Sequence, residues 1–319
     1  MNRETKKHYI QIAEMYYNQD LTQHQIAQKT GINRSTISRM LKKMREEGIV
    51  RILIDYDIND LPLEKQLQKT FGLKKAIVTS VNADQSDDIK LTALGQACAR
   101  FLDQVVADED TIGFSWGSSL ARTIQALSVT TKREHIQCVP LLGGPASKLD
   151  SDYHVNTICY QAARLFNGKS VMIDFPAIVE KPSMRREISE TAHFKAIQTL
   201  WDQMTIAVFG IGSIDSVRRS STWHAFYGDS EIERLTSEGV AGDICSRFFD
   251  IDGQTIRTHL SERTISIPLE KLAKMKYSIG IAQSIDKVKG IIGALRSGKM
   301  NVLVTTSETA AALLNFVGD

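Results

Sequence analysis

Apolar positions in the first fifty residues recur with a helical period. Lys6 to Tyr17 carries Ile10, Ile12, Ala13, Tyr16 and Tyr17 at positions that can pack together, which predicts a first helix. A second helix runs from Thr22, its N-cap, to Thr30, with Ile26 and Ala27 inward and a tight turn at Gly31. The third opens at Asn33, whose side-chain oxygen can accept a free N–H of the first turn. Gly48 closes it, a usual place for a left-handed residue. Ile37, Met40, Leu41 and Met44 fall at i, i+3, i+4 and i+7 and make one buried face. The β-rich run from Ile49 to Ile54 stands where a winged variant of such a helical hairpin carries its wing. Leu61 to Phe71 reads as a connecting helix, closed by Gly72.

From Lys75 onward the period alternates. Short apolar, β-branched segments predict strands at Ala76–Thr79, Thr111–Phe114, Ile136–Leu141, Val171–Ile173, Thr205–Phe209, Ser278–Ala282 and Val302–Val304. Amphipathic segments between them predict helices at Asp88–Val106, Leu120–Leu127, Val155–Phe166, Phe194–Gln203, Lys287–Leu295 and Glu308–Phe316. Strands alternating with helices imply a parallel, doubly wound α/β sheet. Gly242 to Ile267 departs from this rhythm and reads as a small antiparallel β unit with a turn at Asp252-Gly253. Two domains follow, 1–57 and 58–319, with the boundary between Asp57 and Pro62.

Charge sharpens this division. The chain of 319 residues has a net charge of +2. Residues 1–51 hold ten Lys or Arg against five Asp or Glu, a net of +5, which leaves −3 for the rest. A basic head on a mildly acidic body fits a head that meets nucleic acid. The third helix supplies the surface: Arg34, Ser35, Ser38, Arg39 and Lys42 lie opposite its apolar face. Cations and short hydroxyls in that array suit the major groove of DNA, where Arg can fork onto guanine. Thr22, Gln23, Asn33, Thr36 and Lys43 complete the expected DNA-contacting set. An ordinary helical hairpin with a solvated basic face is the plainer alternative.

The remaining composition excludes several classes. No run of 18 apolar residues is present, so no membrane span is expected. The N-terminus lacks the apolar core of a secretory signal. Cys98, Cys138, Cys159 and Cys245 lie far apart, which fits reduced, buried cysteines of a cytoplasmic protein and neither a disulfide frame nor a zinc site. No metal and no cofactor are expected, and no spacing argues for a catalytic triad or a catalytic carboxylate pair.

In an open α/β sheet, ligands bind beyond the C-terminal ends of the strands. Three loops there carry chemistry. Gly113-Phe114-Ser115-Trp116-Gly117-Ser118-Ser119 leaves a strand and opens a helix, which offers free N–H groups and hydroxyls to a phosphate, or simply makes an N-cap turn. It lacks the ending of a Walker A loop. Leu141-Leu142-Gly143-Gly144-Pro145 is the second. Phe209-Gly210-Ile211-Gly212-Ser213 is the third, an incomplete dinucleotide fingerprint. Asp243, between small and apolar neighbours, and Lys287, at a helix start, can meet sugar hydroxyls or form surface salt bridges. His224 can line a pocket or serve the structure.

The strings GFSWG, VPLLGGP, YHVNT, WHAFYG and VAGDICSRFFD, with the stretch from Lys287 to Ala311, resemble the SorC-type bacterial sugar-responsive regulators. The resemblance covers nearly the whole chain and is strongest toward regulators of sorbose or sorbitol operons. It implies a winged helix-turn-helix head and an effector domain related to the sugar-phosphate isomerase and glucosamine-phosphate deaminase fold. It also implies a phosphorylated sugar or sugar alcohol as non-covalent effector, and homotetramers on double-stranded operator DNA. The implied effector contacts are Ser115, Trp116, Gly117, Ser118 and Ser119 on the phosphate side and Asp243 and Lys287 on the polyol side. Leu142, Gly143, Gly144, Asn156, Gly212 and His224 are expected around them. Deoxyribonucleoside-type members carry before their paired glycines a Lys that bonds an aldehyde sugar. Leu142 stands there, so no Schiff base is expected at this position. The expected activity is transcriptional regulation without catalysis. The rivals are a sugar-phosphate isomerase or deaminase with a DNA-binding head and a DNA-binding scaffold with a degenerate, empty pocket.

Overall fold

The computed structural model describes residues 3–50, 52, 55, 59–145, 150–219 and 227–318. The chain divides into two compact units, Met1–Asp55 and Tyr56–Asp319.

The first unit opens with α1 (Arg3–Ala13), which passes straight into a π-helical turn, Glu14–Asn18. The expected helix to Tyr17 is therefore regular only to Ala13. Beyond it Tyr16 and Tyr17 pack edge to face at 4.9 Å. The second helix, α2 (Gln23–Thr30), carries a full capping box: the Gln25 N–H donates to Thr22 Oγ1 and the Thr22 N–H donates to Gln25 Oε1. Gly31 ends it at φ +71°. The third helix, α3 (Arg34–Glu46), starts at Asn33, whose Oδ1 accepts the Ser35 N–H at 3.1 Å. Ile12, Ile26, Ile37, Leu41 and Met44 form the core of this unit. Burial of each such side chain contributes roughly 1.5–3 kcal/mol. Most of the expected wing (Arg51, Leu53, Ile54) lies outside the described residues, and Ile52 is not in a strand.

In the second unit, α4 (Leu61–Phe71) precedes β1 (Lys75–Thr79). Then follow α5 (Asp87–Val105), β2 (Thr111–Phe114), α6 (Ser118–Ala126) and β3 (Gln137–Pro140). After these come α7 (Val155–Leu165), β4 (Lys169–Ser170), α8 (Pro182–Glu190), α9 (Ala192–Gln203) and β5 (Ile206–Ser213). The chain continues through α10 (Ile214–Arg219), α11 (Asp229–Ser237), β6 (Gly242–Ile244), β7 (Arg247–Phe249) and α12 (Leu269–Leu272). It closes with β8 (Tyr277–Ile281), α13 (Val288–Arg296), β9 (Val302–Thr306) and α14 (Ser307–Gly318).

The strand order is β1-β9-β8-β5-β2-β3-β4 with every pair parallel. From β2 the chain winds outward through β3 to β4. It then returns to lay β5 on the other side of β2 and winds the opposite way through β8 to β9. The direction of winding reverses between β2 and β5, which makes the crevice beyond their C-terminal ends the expected ligand position.

Two strands also differ from the sequence expectation. The strand placed at Val171–Ile173 is observed at Lys169–Ser170, because the Asn156 amide captures the next stretch of backbone: it accepts the Ile173 N–H at 3.0 Å and donates to the Ile173 carbonyl at 3.1 Å. The strand expected to end at Phe209 runs on to Ser213. The segment 209–213, read as a loop, is strand because its second half pairs antiparallel with β6, Gly212 opposite Asp243. An antiparallel hairpin, β6–β7, opens the stretch expected as an antiparallel unit over 242–267, but it turns at Cys245-Ser246; the expected turn at Asp252-Gly253 follows β7, with Gly253 at φ +80°.

Candidate functional site

In the first unit, Arg34, Ser35, Ser38, Arg39, Lys42 and Lys43 are exposed along α3, while Ile37, Leu41 and Met44 are buried beneath. Thr36 is half-buried, and its hydroxyl accepts from Arg39 Nη2 at 3.4 Å. Lys42 and Lys43 pair with Glu46 and Glu47 at 3.8 and 3.6 Å. Exposed pairs of this kind are worth a few tenths of a kcal/mol, so a DNA phosphate displaces the carboxylates at small cost. The Thr22 hydroxyl and the Asn33 amide oxygen are engaged as helix caps, and Gln23 begins α2. His24 lines a shallow cleft with Arg34 and Tyr17. The sequence reading passed over it.

In the second unit, a cavity opens at the β2–β5 reversal point. Its walls come from several elements. The loop after β2 and the start of α6 give Ser115, Trp116, Gly117, Ser118, Ser119 and Leu120; the end of β5 gives Gly210, Ile211, Gly212 and Ser213. The hairpin contributes Asp243, Cys245 and Ser246, and the segment before α13 contributes Lys287. Ser216, Val217 and Tyr227 close the cavity.

The start of α6 is the feature whose chemistry suits an anion. Its N-cap is Gly117 at φ +120°, and no side chain caps the helix, whereas α2 to α5 are each capped by one. The first N–H groups of a helix have no partner within it and carry the positive end of its dipole. Ser118 and Ser119 add hydroxyls beside them. Ser115 is committed to the wall, since its Oγ accepts the Gly210 N–H at 3.3 Å.

Asp243 and Lys287 form the charged side. Desolvation pushes the Asp243 carboxyl up to about 6, against the opposing pull of the Ser246 N–H and the Lys287 ammonium. Lys287 is held below the usual lysine value by the same desolvation, opposed by Asp243. Its Nζ donates to the Ile211 carbonyl at 3.1 Å. The Ser246 N–H donates to Asp243 Oδ2 at 3.0 Å. That N–H is aimed by the two-residue hairpin turn Cys245-Ser246, at φ +53° and +58°. Such a turn normally takes Asn-Gly, so the conformation is costly here and is held by its surroundings. Gly212 is also required: a Cβ there would stand 1.9 Å from Asp243 Oδ1.

Several expected residues lie elsewhere. Leu142 is fully buried and bridges to Ser266, Gly143 packs against the Pro176 backbone, and Gly144 bridges to Pro176 and abuts His154. Asn156 spends its amide on Ile173. None of these four lines the cavity, because packing and backbone pairing already occupy them. His224 lies outside the described residues. Gly210, Ile211 and Ser213, named in the sequence only as part of the third loop, line the cavity with Gly212, whereas Leu120, Ser216, Val217, Tyr227, Cys245 and Ser246 were not singled out. The hairpin pair was findable, since it follows Asp243 directly between two apolar runs. All four cysteines are buried and unpaired. No group of three or more metal-ligating side chains occurs among the described residues, and none of their helices is long and apolar enough to cross a membrane.

Residues 57–315 match the Sugar-bind family of sugar-binding domains, and residues 12–51 match a winged helix-turn-helix DNA-binding family. The chain is 46% identical over 306 residues to the sorbitol operon regulator of Klebsiella pneumoniae, covering 96% of each. The chain belongs to the SorC-type regulators. The chain is also 30% identical to the deoxyribonucleoside regulator of Bacillus subtilis, over 99% of both chains. The crystal structure of the full-length K. pneumoniae SorC superimposes with a TM-score of 0.78, covering 98% of this chain and 100% of that one. The relatives named here are transcriptional regulators, so the SorC-type fold carries DNA-binding and sugar-binding units in one chain.

Proposed function

We propose that this SorC-type regulator is a cytoplasmic homotetramer that binds operator DNA through α3 and is controlled by a phosphorylated sugar or hexitol. A sorbose- or sorbitol-derived phosphate is the best single candidate, and it binds without turnover. The observation that carries this reading is the cavity at the reversal point, with an uncapped helix start on one side and an Asp–Lys pair on the other. The phosphate sits on the N–H groups after Gly117 with Ser118 and Ser119 around it. Asp243 accepts from two hydroxyls of the polyol and Lys287 donates to an oxygen. The functional boundary is placed at 57/58. The effector can change DNA binding only by favouring one arrangement of the oligomer.

The test is a mobility shift with the protein's own upstream DNA, run with D-sorbitol 6-phosphate, L-sorbose 1-phosphate and their unphosphorylated parents. The expected result is an operator complex whose stability changes with a phosphorylated compound alone. Equal response to the unphosphorylated parent would remove the phosphate from the reading.

A further inference from the structure

Gly210 has no structural reason to be glycine. Its neighbours do. A Cβ at Gly212 would meet the Asp243 carboxylate at 1.9 Å, one at Gly242 would meet the Gly212 carbonyl at 2.4 Å, and one at Gly280 would meet Met300 Sδ at 2.6 Å. At Gly210 an added Cβ would touch only Leu120 Cδ2, at 3.9 Å, an ordinary contact. Its backbone is regular strand outside the left-handed region, paired with Ile281 of β8. A strand-interior glycine forgoes packing and conformational restriction, and commonly marks a place where a ligand or another backbone comes close. No backbone outside its chain neighbours lies within 4 Å of where that Cβ would stand, and the space it leaves is the cavity.

Position along β5 says which part of a ligand meets it. Gly210 and Gly212 lie two apart and so on one face of the strand. Gly212 faces Asp243. Gly210 faces Leu120, in the first turn of α6. A molecule reaching from the helix start to Asp243 therefore crosses Gly210. We propose that Gly210 is the specificity-determining floor of the cavity, against whose bare backbone the carbon chain of the sugar phosphate lies. This rests on the reading of the cavity as a sugar-phosphate site. It adds that discrimination among ligands comes from width at one missing side chain as well as from polar contacts.

The test uses the full-length chain and its Gly210→Ala and Gly210→Val variants, titrated calorimetrically with D-sorbitol 6-phosphate and with inorganic phosphate. Filling the floor with one methyl is expected to weaken the sugar phosphate by about ten- to a hundredfold, and valine by more. Inorganic phosphate, which needs only the helix start, should bind all three proteins alike. The melting temperature of ligand-free Gly210→Ala should equal or exceed that of the wild type. Wild-type affinity for the sugar phosphate in both variants would overturn the inference while leaving the proposed function standing. So would a parallel loss of both ligands, which would mean a disturbed phosphate loop. Should the wild type bind D-sorbitol 6-phosphate no better than inorganic phosphate, the functional reading and this inference fall together. If the valine variant does not fold, the alanine variant alone decides.

Discussion

Asp243 is the residue on which the most physics converges. Its carboxyl titrates near 6 because the cavity desolvates it faster than Ser246 and Lys287 can compensate. The sign for ligand binding follows. A carboxylate accepts hydroxyl hydrogens better than a carboxylic acid does, so sugar-phosphate affinity should fall as pH drops through about 6. The phosphate itself titrates near the same value, at roughly 6, so the wild-type profile mixes the two events. Asp243→Asn isolates them. It should weaken the effector about ten- to a hundredfold at pH 8, as expected for a lost charged hydrogen bond of roughly 1.5–3 kcal/mol. It should keep only the phosphate's share of the pH dependence. Calorimetric titrations of both proteins between pH 5 and 8 check this, and parallel profiles would remove Asp243 from the contact. The same shift acts on folding in the opposite sense to an ordinary paired carboxylate. A folded-state value raised from 3.8 means that stability declines as pH rises from 3.8 to about 6 and is level above it.

At the scale of elements, the two helices with special beginnings yield separate predictions. The α7 helix is capped by an imidazole: His154 Nδ1 accepts the Asn156 N–H at 3.1 Å. Only the neutral ring can accept, and burial holds its pKa below the usual 6.5. The unfolded chain therefore takes up a proton first. Stability from this group is complete above 6.5 and is lost as pH falls toward the folded value. His154→Asn keeps a capping oxygen and removes the titration. Between pH 7 and pH 5 its melting temperature should drop less than that of the wild type, and an equal drop would mean that the cap does not titrate. On α3, Arg39→Ala should cost about 1–3 kcal/mol and relax specificity at one base pair, whereas Lys42→Ala should weaken all DNA and reduce the salt slope. Operator affinity measured across salt concentrations separates the two. Unchanged affinity in both would exclude this helix from the interface.

How legible these elements were depends on how local their causes are. Caps at Thr22 and Asn33, the left-handed Gly31 and Gly48, and the apolar seam of α3 are written in adjacent residues and read directly. The parallel strands read well because burial on both faces leaves continuous apolar runs. Failures occurred where a distant partner decides. Ile173 leaves the sheet because Asn156, seventeen residues earlier, takes its backbone. The segment 209–213 is strand because β6 covers it. The paired glycines Gly143 and Gly144 resembled a ligand loop, yet they serve close packing against 176–177 and His154. Ser216 reaches the cavity only through the fold, and nothing in its local sequence marks it.

For the whole molecule, the division into a small basic unit and a large unit predicts dependence of one on the other. A lone head offers few phosphate contacts, and two half-sites about one helical turn apart need two heads held together. A fragment ending at Asp55 should bind the operator far more weakly than the full chain, by fluorescence anisotropy at matched salt. Tight binding by the monomeric fragment would contradict assembly through the large unit. The place where the winding of the sheet reverses has a further consequence. There β2 and β5 share only the register pairs from Ile112↔Ile206 to Phe114↔Val208, while β5 and β8 run together from Ile206↔Tyr277 to Gly210↔Ile281. The β2–β3–β4 half and the β5–β8–β9–β1 half thus meet along a short seam, and the cavity sits at its open end. A molecule bound there should touch both halves and work as a clasp, slowing amide hydrogen exchange at Ser115 and Gly210.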